Sequence, residues 1–430
     1  MISARFLLLI LLFFIIIPTF DQSVFGVILS SIAFFGPGLA AVFLLLKRSI
    51  LINKKILYLI SIYSGIFVLL TFSSLIYDAD RLVFSDVSEL VRPILIFFIV
   101  LAFSAAQWKS RRIKLFYYFL ASLIILSFCL SVLELSGTRL SSVILQFYVR
   151  ERGSLQNKAI AFFSTPYFAG SVYLFCASFF IAYGWASRKK RWLTIGALSL
   201  LLSLMTQSRT VFLAMVVFVI LLVVVKLFRD KMLPFGFLNP MKFFKFTIFF
   251  TLLTGTLFAF VYAFQDKLSY LLTGIEVYLI NIEDHLGRDS GSVGTRMSQI
   301  RFALENNNLY FIGVGIGKGY APSLESIYAL FYYRYGILGF LVYAVFWLAV
   351  FFLSIKKLRQ TDSKTDPEFY AFFLGFAMFI PIIPILSLSS VITDQYRLYP
   401  IFYGAAGILL SLSISKYKVF STTSRCTEVS

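Results

Sequence analysis

Apolar windows long enough to cross a bilayer recur along the whole chain, and they limit what it can fold into. About twelve windows approach the roughly twenty residues that a transmembrane helix requires. The hydrocarbon core offers no water to backbone N–H and C=O groups, so each window must be helical. The chain is therefore predicted to be all-α, a polytopic transmembrane helical bundle that forms one integral membrane domain over residues 1–430. The predicted spans are 4–20, 24–46, 55–77, 92–107, 114–135, 159–184, 192–206, 210–228, 244–264, 335–355, 369–388 and 399–415.

The composition agrees with a membrane protein and excludes a soluble globular domain. Hydrophobic residues make up 60% of the chain, charged residues make up 14%, and the mean hydropathy is +0.88. The first window lacks a small-residue cleavage site and is followed by further windows, so it is interpreted as an anchor rather than a signal peptide. The three cysteines and the single histidine stand at no metal-ligand spacing. Neither a metal site nor another cofactor is therefore predicted.

Basic residues concentrate in alternate loops. The loops on the same side as the two termini hold 25 of the 39 basic residues and only five of the 20 acidic residues. By the positive-inside rule this side is cytoplasmic, so both termini are predicted to lie inside and the longest loop outside. The net charge of +19 is thus explained by membrane topology and does not indicate nucleic-acid binding.

The two predicted sides also differ in the kind of basic residue. The cytoplasmic side carries 16 Lys and 9 Arg, whereas the outer side carries 11 Arg and 3 Lys. A planar guanidinium can grip a phosphate or carboxylate through two parallel hydrogen bonds, which an ammonium cannot do. The outer arginines therefore favour anion binding, and the alternative is that they snorkel to the membrane interface.

The longest polar stretch, residues 265–325 between predicted spans nine and ten, is the large extracytoplasmic loop. It exceeds what a turn needs, and long loops on a rigid scaffold often carry the chemistry. Apolar spacing predicts two short helices in it, one over 268–282 that lies on the membrane surface or caps a cavity, and one over RMSQIRFALENN. Arg296 and Arg301 on the second helix point about 140° apart, so both cannot face one small anion unless the helix end is irregular. The alternative for either arginine is a solvated face.

The segment GVGIGKG looks like a nucleotide-binding loop but does not match one. A Walker motif requires Gly where this chain has Ile312, and Ser or Thr where it has Gly319. Gly313, Gly315 and Gly317 are instead predicted to form a tight segment in which backbones approach closely. Their N–H groups would also suit an anion nest.

Two charged residues at predicted span ends are candidates for function. Arg209 lies in the tight turn Gln207-Ser208-Arg209, where a cation near the membrane surface is costly unless it is paired, which makes it a functional candidate; the alternative is snorkelling to headgroups. Glu325 precedes an aromatic turn and the tenth predicted span, where a carboxylate could act as a general base. The alternative is an ordinary acid in the first turn of a helix, stabilised by the helix dipole.

Two stretches resemble the O-antigen polymerase and ligase superfamily of bacterial polysaccharide assembly. One is LLSLMTQSRTVFLAMVVFVI, and the other is RFALENNNLYFIGVGIGKGYAPSLESIYALFYYRYGILGF. The second follows the family pattern of an arginine-led helix, a glycine-rich stretch, a polar pair and an apolar run that closes with G-x-x-G, here Gly336 and Gly339. The polar pair is typically His-Asn in ligases, whereas this chain has Glu325 and Ser326. The departure favours a polymerase over a ligase.

The resemblance implies transfer of a glycan between lipid carriers at the outer leaflet of the bacterial inner membrane. Donor and acceptor would both be polyprenyl-diphosphate-linked, and the product would be O-antigen, capsule or exopolysaccharide. Arg209 with Arg296, Arg301 or Arg334 would stabilise the diphosphate leaving group without a metal. Glu325 would accept the proton of the acceptor hydroxyl. Besides the bilayer, chain-length regulator and flippase proteins are the partners that the resemblance allows.

Other classes remain open. An O-antigen ligase shares the same architecture, and a twelve-span transporter or lipid-linked sugar flippase shares the span count. Transporters often have two matching halves and ionisable residues at mid-membrane. Here the predicted spans carry almost no charge at that depth, and the single large loop breaks a six-plus-six arrangement. A non-enzymatic scaffold for glycan assembly is a further alternative.

Overall fold

Helices account for all the regular structure in the described part of the chain. A computed structural model describes residues 4–18, 24–46, 53–77, 86–106, 108–138, 148, 158–229, 292–316, 324–393, 395 and 397–414. The helices are α1 (Ala4–Ile16), α2 (Val24–Leu46), α3 (Lys54–Tyr77), α4 (Val87–Ala105), α5 (Ser110–Ser136), α6 (Pro166–Ser187), α7 (Lys190–Met205), α8 (Arg209–Arg229), α9 (Ser292–Asn306), α10 (Ile327–Gln360), α11 (Pro367–Phe379), α12 (Ile383–Leu386) and α13 (Tyr399–Ile414). A 3-10 turn, Ile380–Ile382, joins α11 to α12.

Seven helical segments in the described ranges are long and apolar enough to cross a membrane. They lie in α2, α3, α4, α5, α6, α10 and the combined α11–α12 segment, and the shorter helices α1, α8 and α13 are also apolar. The described part of the chain is thus all-helical, and its apolar helices are those of a membrane protein, as predicted. The count of twelve spans stays a prediction, because the ninth predicted span, 244–264, and the loop up to residue 291 lie outside the described residues.

Two helix starts differ from the predicted spans by seven residues or more. The sixth span was predicted from residue 159, but α6 begins at Pro166, where Thr165 Oγ1 accepts the Phe168 N–H at 3.4 Å. The proline is suited to the first helical turn because its missing N–H needs no partner there. The tenth span was predicted from residue 335, but α10 begins at Ile327 and breaks at Gly336, which has φ 60° and ψ −164°.

The break at Gly336 bends α10 sharply. The rings of Tyr328 and Phe340 have centroids 5.8 Å apart, although twelve residues of a straight helix would separate them by about 18 Å. The short first half of α10, residues 327–335, therefore folds back toward the long second half, residues 337–360. A hydropathy window cannot detect this bend, because both halves are apolar.

Close packing of aromatic and small residues forms the centre of the bundle. Every residue of α6 from Ala169 to Gly184 is buried, and α6 lies between α7 and α11. Phe179 packs against Phe376 with centroids 5.3 Å apart, and Gly375 contacts the Phe179 ring. Lipid is as apolar as the core, so packing of this kind, rather than exclusion of water, holds membrane helices together.

The two ends of α6 mark two ends of the bundle. Tyr183 near its C-terminus donates to Glu368 Oε1 at 3.3 Å, and Tyr167 near its N-terminus donates to Glu325 Oε2 at 3.4 Å. The sixteen intervening residue steps correspond to about 24 Å of helix. We call the Glu368 side the basic end, because Glu368 contacts Ser110 and Lys114 in the lysine- and arginine-rich start of α5, and the Glu325 side the site end.

Candidate functional site

The site end holds a carboxylate paired with an arginine. Arg296 of α9 forms a salt bridge with Glu325 Oε2, and the Tyr167 hydroxyl of α6 donates to the same oxygen. The Glu325 side chain is 37% exposed and that of Arg296 is 20% exposed. The pair is therefore ordered by two helices but still open to a ligand.

A buried glutamine fixes the backbone on which the carboxylate stands. Gln299, three residues after Arg296 on the same face of α9, accepts hydrogen bonds from the N–H groups of Glu325 at 3.2 Å and Ser326 at 3.5 Å. These N–H groups begin α10, where the Ser326 side chain forms no cap of its own. Gln299 thus satisfies backbone donors that a helix start leaves open. One face of α9 therefore holds both the carboxylate and its backbone.

The first half of α10 runs alongside α9 and is held at both ends. Ala303 of α9 packs with Ala329 and Tyr333 of α10 in a small buried cluster. Beyond this cluster, Asn307 Nδ2 donates to the Tyr332 carbonyl oxygen at 2.7 Å. The position of Glu325 is therefore set by contacts along the whole length of this helix pair rather than by its own segment.

The glycine-containing loop after α9 docks on the break in α10. The N–H groups of Val314 and Gly315 donate to the carbonyl oxygens of Tyr333 at 2.9 Å and Arg334 at 3.0 Å. A Cβ at Gly313 would lie 2.5 Å from the Arg334 carbonyl carbon, so only glycine fits. Gly313 is therefore a point at which two backbone segments lie close together.

The same bonds bear on the suggested anion nest. The N–H groups of Gly313 and Gly315 both donate to backbone carbonyl oxygens, those of Leu309 and Arg334. An anion bound there would have to break these bonds, so the loop serves to position the chain. Gly317 lies outside the described residues.

Arg334 is paired with a buried acid that the sequence analysis did not single out. Its Nη1 lies 3.3 Å from Glu89 Oε2, and Arg92 Nη1 lies 2.7 Å from the same oxygen. All three side chains are largely buried. One carboxylate between two guanidinium groups leaves a net positive charge, but Arg334 is held by Glu89 rather than placed beside Glu325.

Arg209 lies at the site end on a different element from the Arg296–Glu325 pair. It begins α8 and is half-buried, directly after the tight turn at Gln207, which has φ 54°. The next residue, Thr210, shares a hydrogen bond with the Ser389 hydroxyl. The nearby Ser387 carbonyl oxygen accepts the Ile327 N–H at 3.1 Å, which connects this region to the start of α10.

The surroundings of Arg209 are cationic. Lys158 is buried nearby. Its burial, and to a smaller extent the positive charge of Arg209, lower the pKa of Lys158 below its ordinary value. The two cations therefore lie close enough to influence one another.

Arg301 and Arg296 separate as the helix rotation predicts. Arg296 faces Glu325, whereas Arg301 is exposed on α9. Of the four candidate diphosphate ligands, only Arg296 is in contact with Glu325 among the pairs that the structure records.

An apolar groove extends along α10 to the site end. It has a volume of about 460 Å³ and lies between α10 and the α11–α12 segment. Trp347 and Phe351 line its deep part, and Ile327 and Ser387 line the end near Glu325. The Ser387 hydroxyl is buried and has no hydrogen-bond partner among the described residues. The groove is thus largely apolar, with the Ser387 hydroxyl at the end that Ile327 also lines.

Three residues of the site were missed in the sequence. Gln299 could have been found, because it repeats the face of Arg296 three residues later. Tyr167 and Glu89 carry no local signal: Tyr167 is 158 residues from Glu325 along the chain. In the part of the chain that the structure describes, no three His, Cys, Asp or Glu residues group as a metal site.

Comparison with models of protein families and with characterised proteins gives no match to this chain.

Proposed function

We propose that the protein is a membrane glycosyltransferase that polymerises polyprenyl-diphosphate-linked oligosaccharide repeat units at the outer leaflet of the bacterial inner membrane. The observation that carries the proposal is the Arg296–Glu325 pair, half-open at one end of a membrane bundle. The motif resemblance selects the reaction class, and the pair provides the two groups that this reaction needs.

The reaction requires one group for the leaving diphosphate and one for the attacking hydroxyl. The acceptor hydroxyl attacks the anomeric carbon, the bond between that carbon and the diphosphate oxygen breaks, and polyprenyl diphosphate leaves with the bonding electrons. Arg296 would stabilise the charge that develops on the diphosphate, because a guanidinium matches phosphate oxygens in geometry and charge. Glu325 would accept the hydroxyl proton.

The pairing of the two groups gives the site a way to respond to substrate. Arg296 Nε has no hydrogen-bond partner among the described residues. A diphosphate that binds this guanidinium would compete with Glu325 for its N–H groups. The carboxylate would then be released to take the proton when the donor is in place. Tyr167, which donates to the same oxygen, would keep the carboxylate oriented.

The groove supports a lipid-linked substrate rather than a soluble sugar nucleotide. Its apolar length suits a hydrocarbon chain that arrives from within the bilayer. One end of the groove is lined by Ile327, which follows Glu325 by two residues in the chain, and by Ser387 with its hydroxyl group. A substrate with a long apolar chain and a charged headgroup matches both parts.

The direct test is chain extension by the purified protein in lipid nanodiscs supplied with lipid-linked repeat units. A ladder of longer glycans is the expected product. Transfer only to a lipid A core acceptor would instead indicate a ligase, and leaflet exchange without new bonds would indicate a flippase. Either result would overturn the polymerase proposal.

Arg209 can be tested in the same assay. Arg209→Ala is expected to abolish the ladder, because it removes a cation from the site end, and Arg209→Lys should be nearly as damaging if the contact with phosphate is bidentate. Arg359→Ala is the matched control, since Arg359 is exposed near the basic end. A normal ladder from Arg209→Ala would remove Arg209 from the proposed machinery.

A further inference from the structure

Helix α9 presents three different faces. The buried face carries Arg296, Gln299 and Ala303. Next to it lies an apolar face, and the remaining face is polar and exposed. The apolar face consists of Met297, Ile300 and Leu304, and the polar face of Ser298, Arg301 and Glu305. Leu304 is 55% exposed, so the apolar face is not covered by the rest of the described chain.

This apolar face continues onto the membrane-facing surface of α10. Ile300 and Leu304 line a cavity of about 250 Å³ together with Ile337 of α10. From that residue, an exposed apolar stripe runs down the second half of α10. Its members are Ile337, Leu341, Val345, Leu348 and Phe352. Their spacing places them on one side of a helix, and on a membrane span an exposed apolar side faces lipid.

Two exposed aromatic residues lie at the upper edge of the same surface. The carbonyl oxygens of Tyr310 and Phe311 accept the N–H groups of Ile337 and Leu338, each at 3.0 Å. These bonds fix the aromatic pair at the first residues of the spanning half of α10. Phe311 is 59% exposed. Exposed aromatic rings at the end of a span are typical of the membrane–water interface.

We infer that α9 and the Tyr310-Phe311 pair lie in the headgroup region of the bilayer, with Leu304 and Phe311 in contact with lipid and Glu305 facing water. The occupant of the apolar face is bilayer lipid, because this face is continuous with the lipid-facing stripe of α10. The sequence predicts contact with the membrane surface for residues 268–282 of the large loop rather than for the helix that carries Arg296.

With α9 in the headgroup region, the Arg296–Glu325 pair is accessible from the bilayer. Arg296 and Gln299 stand on the buried face of the same interfacial helix, so the Arg296–Glu325 pair lies at the depth of lipid headgroups. Arg301 is about 40° from Met297 around the helix, which lets its guanidinium extend to lipid phosphates while its stem covers apolar surface. A lipid-linked ligand would approach sideways from the bilayer rather than from solution.

Site-directed spin labelling in nanodiscs tests this placement without any assay of activity. A nitroxide is attached to cysteine at Leu304 and, separately, at Phe311. Glu305 is the matched control, since it is the next residue on α9 but on its polar face, and Leu341 is the lipid-facing reference. The background carries Cys129→Ser and Cys426→Ser, while Cys176 is fully buried. Collision of each label with oxygen and with a water-soluble nickel chelate is measured.

The expected result is that labels at Leu304 and Phe311 collide more with oxygen than with the chelate, as at Leu341, and that the label at Glu305 shows the reverse. Chelate access at Leu304 and Phe311 would place α9 in water and overturn the inference. Low access to both reagents would indicate a second copy or a protein partner and would overturn it too. If a label at Leu304 disturbs the packing around the 250 Å³ cavity, a label at Met297 replaces it. Met297 lies on the same apolar face of α9 but does not line that cavity, and the same result is expected there.

Discussion

The two ends of α6 each hold a carboxylate, a cation and a tyrosine, but only one set is open. At the basic end, Glu368 accepts from Lys114 Nζ at 3.1 Å, from Ser110 Oγ at 3.1 Å and from Tyr183 at 3.3 Å. Its side chain is 9% exposed, against 37% for Glu325. The closed set has its hydrogen-bonding capacity filled by the protein, which suits a structural clamp. The open set leaves capacity for a ligand.

The cations that pair with the two carboxylates, Lys114 and Arg296, also differ in how far the protein surrounds them. Lys114, a point charge, is 43% exposed and can remain solvated while it neutralises Glu368. Arg296 is more buried and offers a planar fork. A guanidinium at this depth is costly unless its N–H groups find acceptors, and Glu325 supplies one of them. Similar residue types therefore serve different purposes according to how completely the protein surrounds them.

Neutralising each carboxylate is the strongest test of this contrast. Glu325→Gln should lower turnover by about 10²–10⁴-fold, because it removes a general base, while thermal stability stays near that of the wild type. Glu368→Gln should retain turnover but lose about 1–3 kcal/mol of stability, since charge-assisted bonds in a buried setting are weakened. Chain-extension rates and thermal unfolding in detergent measure the two effects. Full activity of Glu325→Gln would return this residue to an ordinary helix-start acid.

Much of this contrast could not have been read from the sequence. The positions of most helices and the opposite directions of Arg296 and Arg301 followed from apolar windows and the helical period. The apolar windows did not show which of their residues face protein and which face lipid. Phe346 is buried and Phe352 is exposed, although both lie on the same helix. Both environments are apolar, so the sequence carries no pattern that separates them.

The contacts that make the site are also distant along the chain. Arg334 and Glu89 meet across more than half of the protein, and Tyr167 reaches Glu325 from another helix. The bend at Gly336 was equally hidden, because glycine is frequent in transmembrane helices and does not by itself indicate a break. Only its positive φ and its contact with the Phe311 backbone reveal why glycine is needed there.

Replacing each of the two cations, Arg296 and Lys114, by the other basic residue tests the same comparison with a smaller expected effect. Arg296→Lys keeps the charge but loses the fork, so turnover should fall on the order of tenfold, equivalent to about 1.4 kcal/mol of transition-state stabilisation. Lys114→Arg should leave turnover and stability nearly unchanged, because Lys114 acts as a solvated charge. Steady-state kinetics with lipid-linked donor measure both. Equal rates for Arg296→Lys and wild type would mean that Arg296 supplies charge alone.

Removing the two tyrosine hydroxyls from α6 gives a still smaller pair of effects. Tyr183→Phe deletes a hydrogen bond to a buried carboxylate and should cost about 1.5 kcal/mol of stability without a change in turnover. Tyr167→Phe deletes a longer bond to an exposed carboxylate, so stability should change by less than about 0.5 kcal/mol and turnover should fall about threefold. A stability loss in Tyr167→Phe as large as in Tyr183→Phe would remove the distinction between open and closed sets.

The smallest expected effect is on the pH dependence of stability, and it distinguishes Lys158 from Lys114. Burial and the nearby Arg209 lower the pKa of Lys158 from its ordinary value of 10.5, so the unfolded chain holds this proton over a pH range in which the folded protein has lost it. Stability should therefore rise with pH through the alkaline range below 10.5.

Lys158→Met should abolish that rise and add less than about 1 kcal/mol at neutral pH. Lys114→Met, which breaks the Glu368 ion pair, should instead lower stability. Melting temperatures of the three proteins from neutral to alkaline pH decide the point, and a flat wild-type profile would mean that the cationic surroundings of Arg209 impose no cost on the fold.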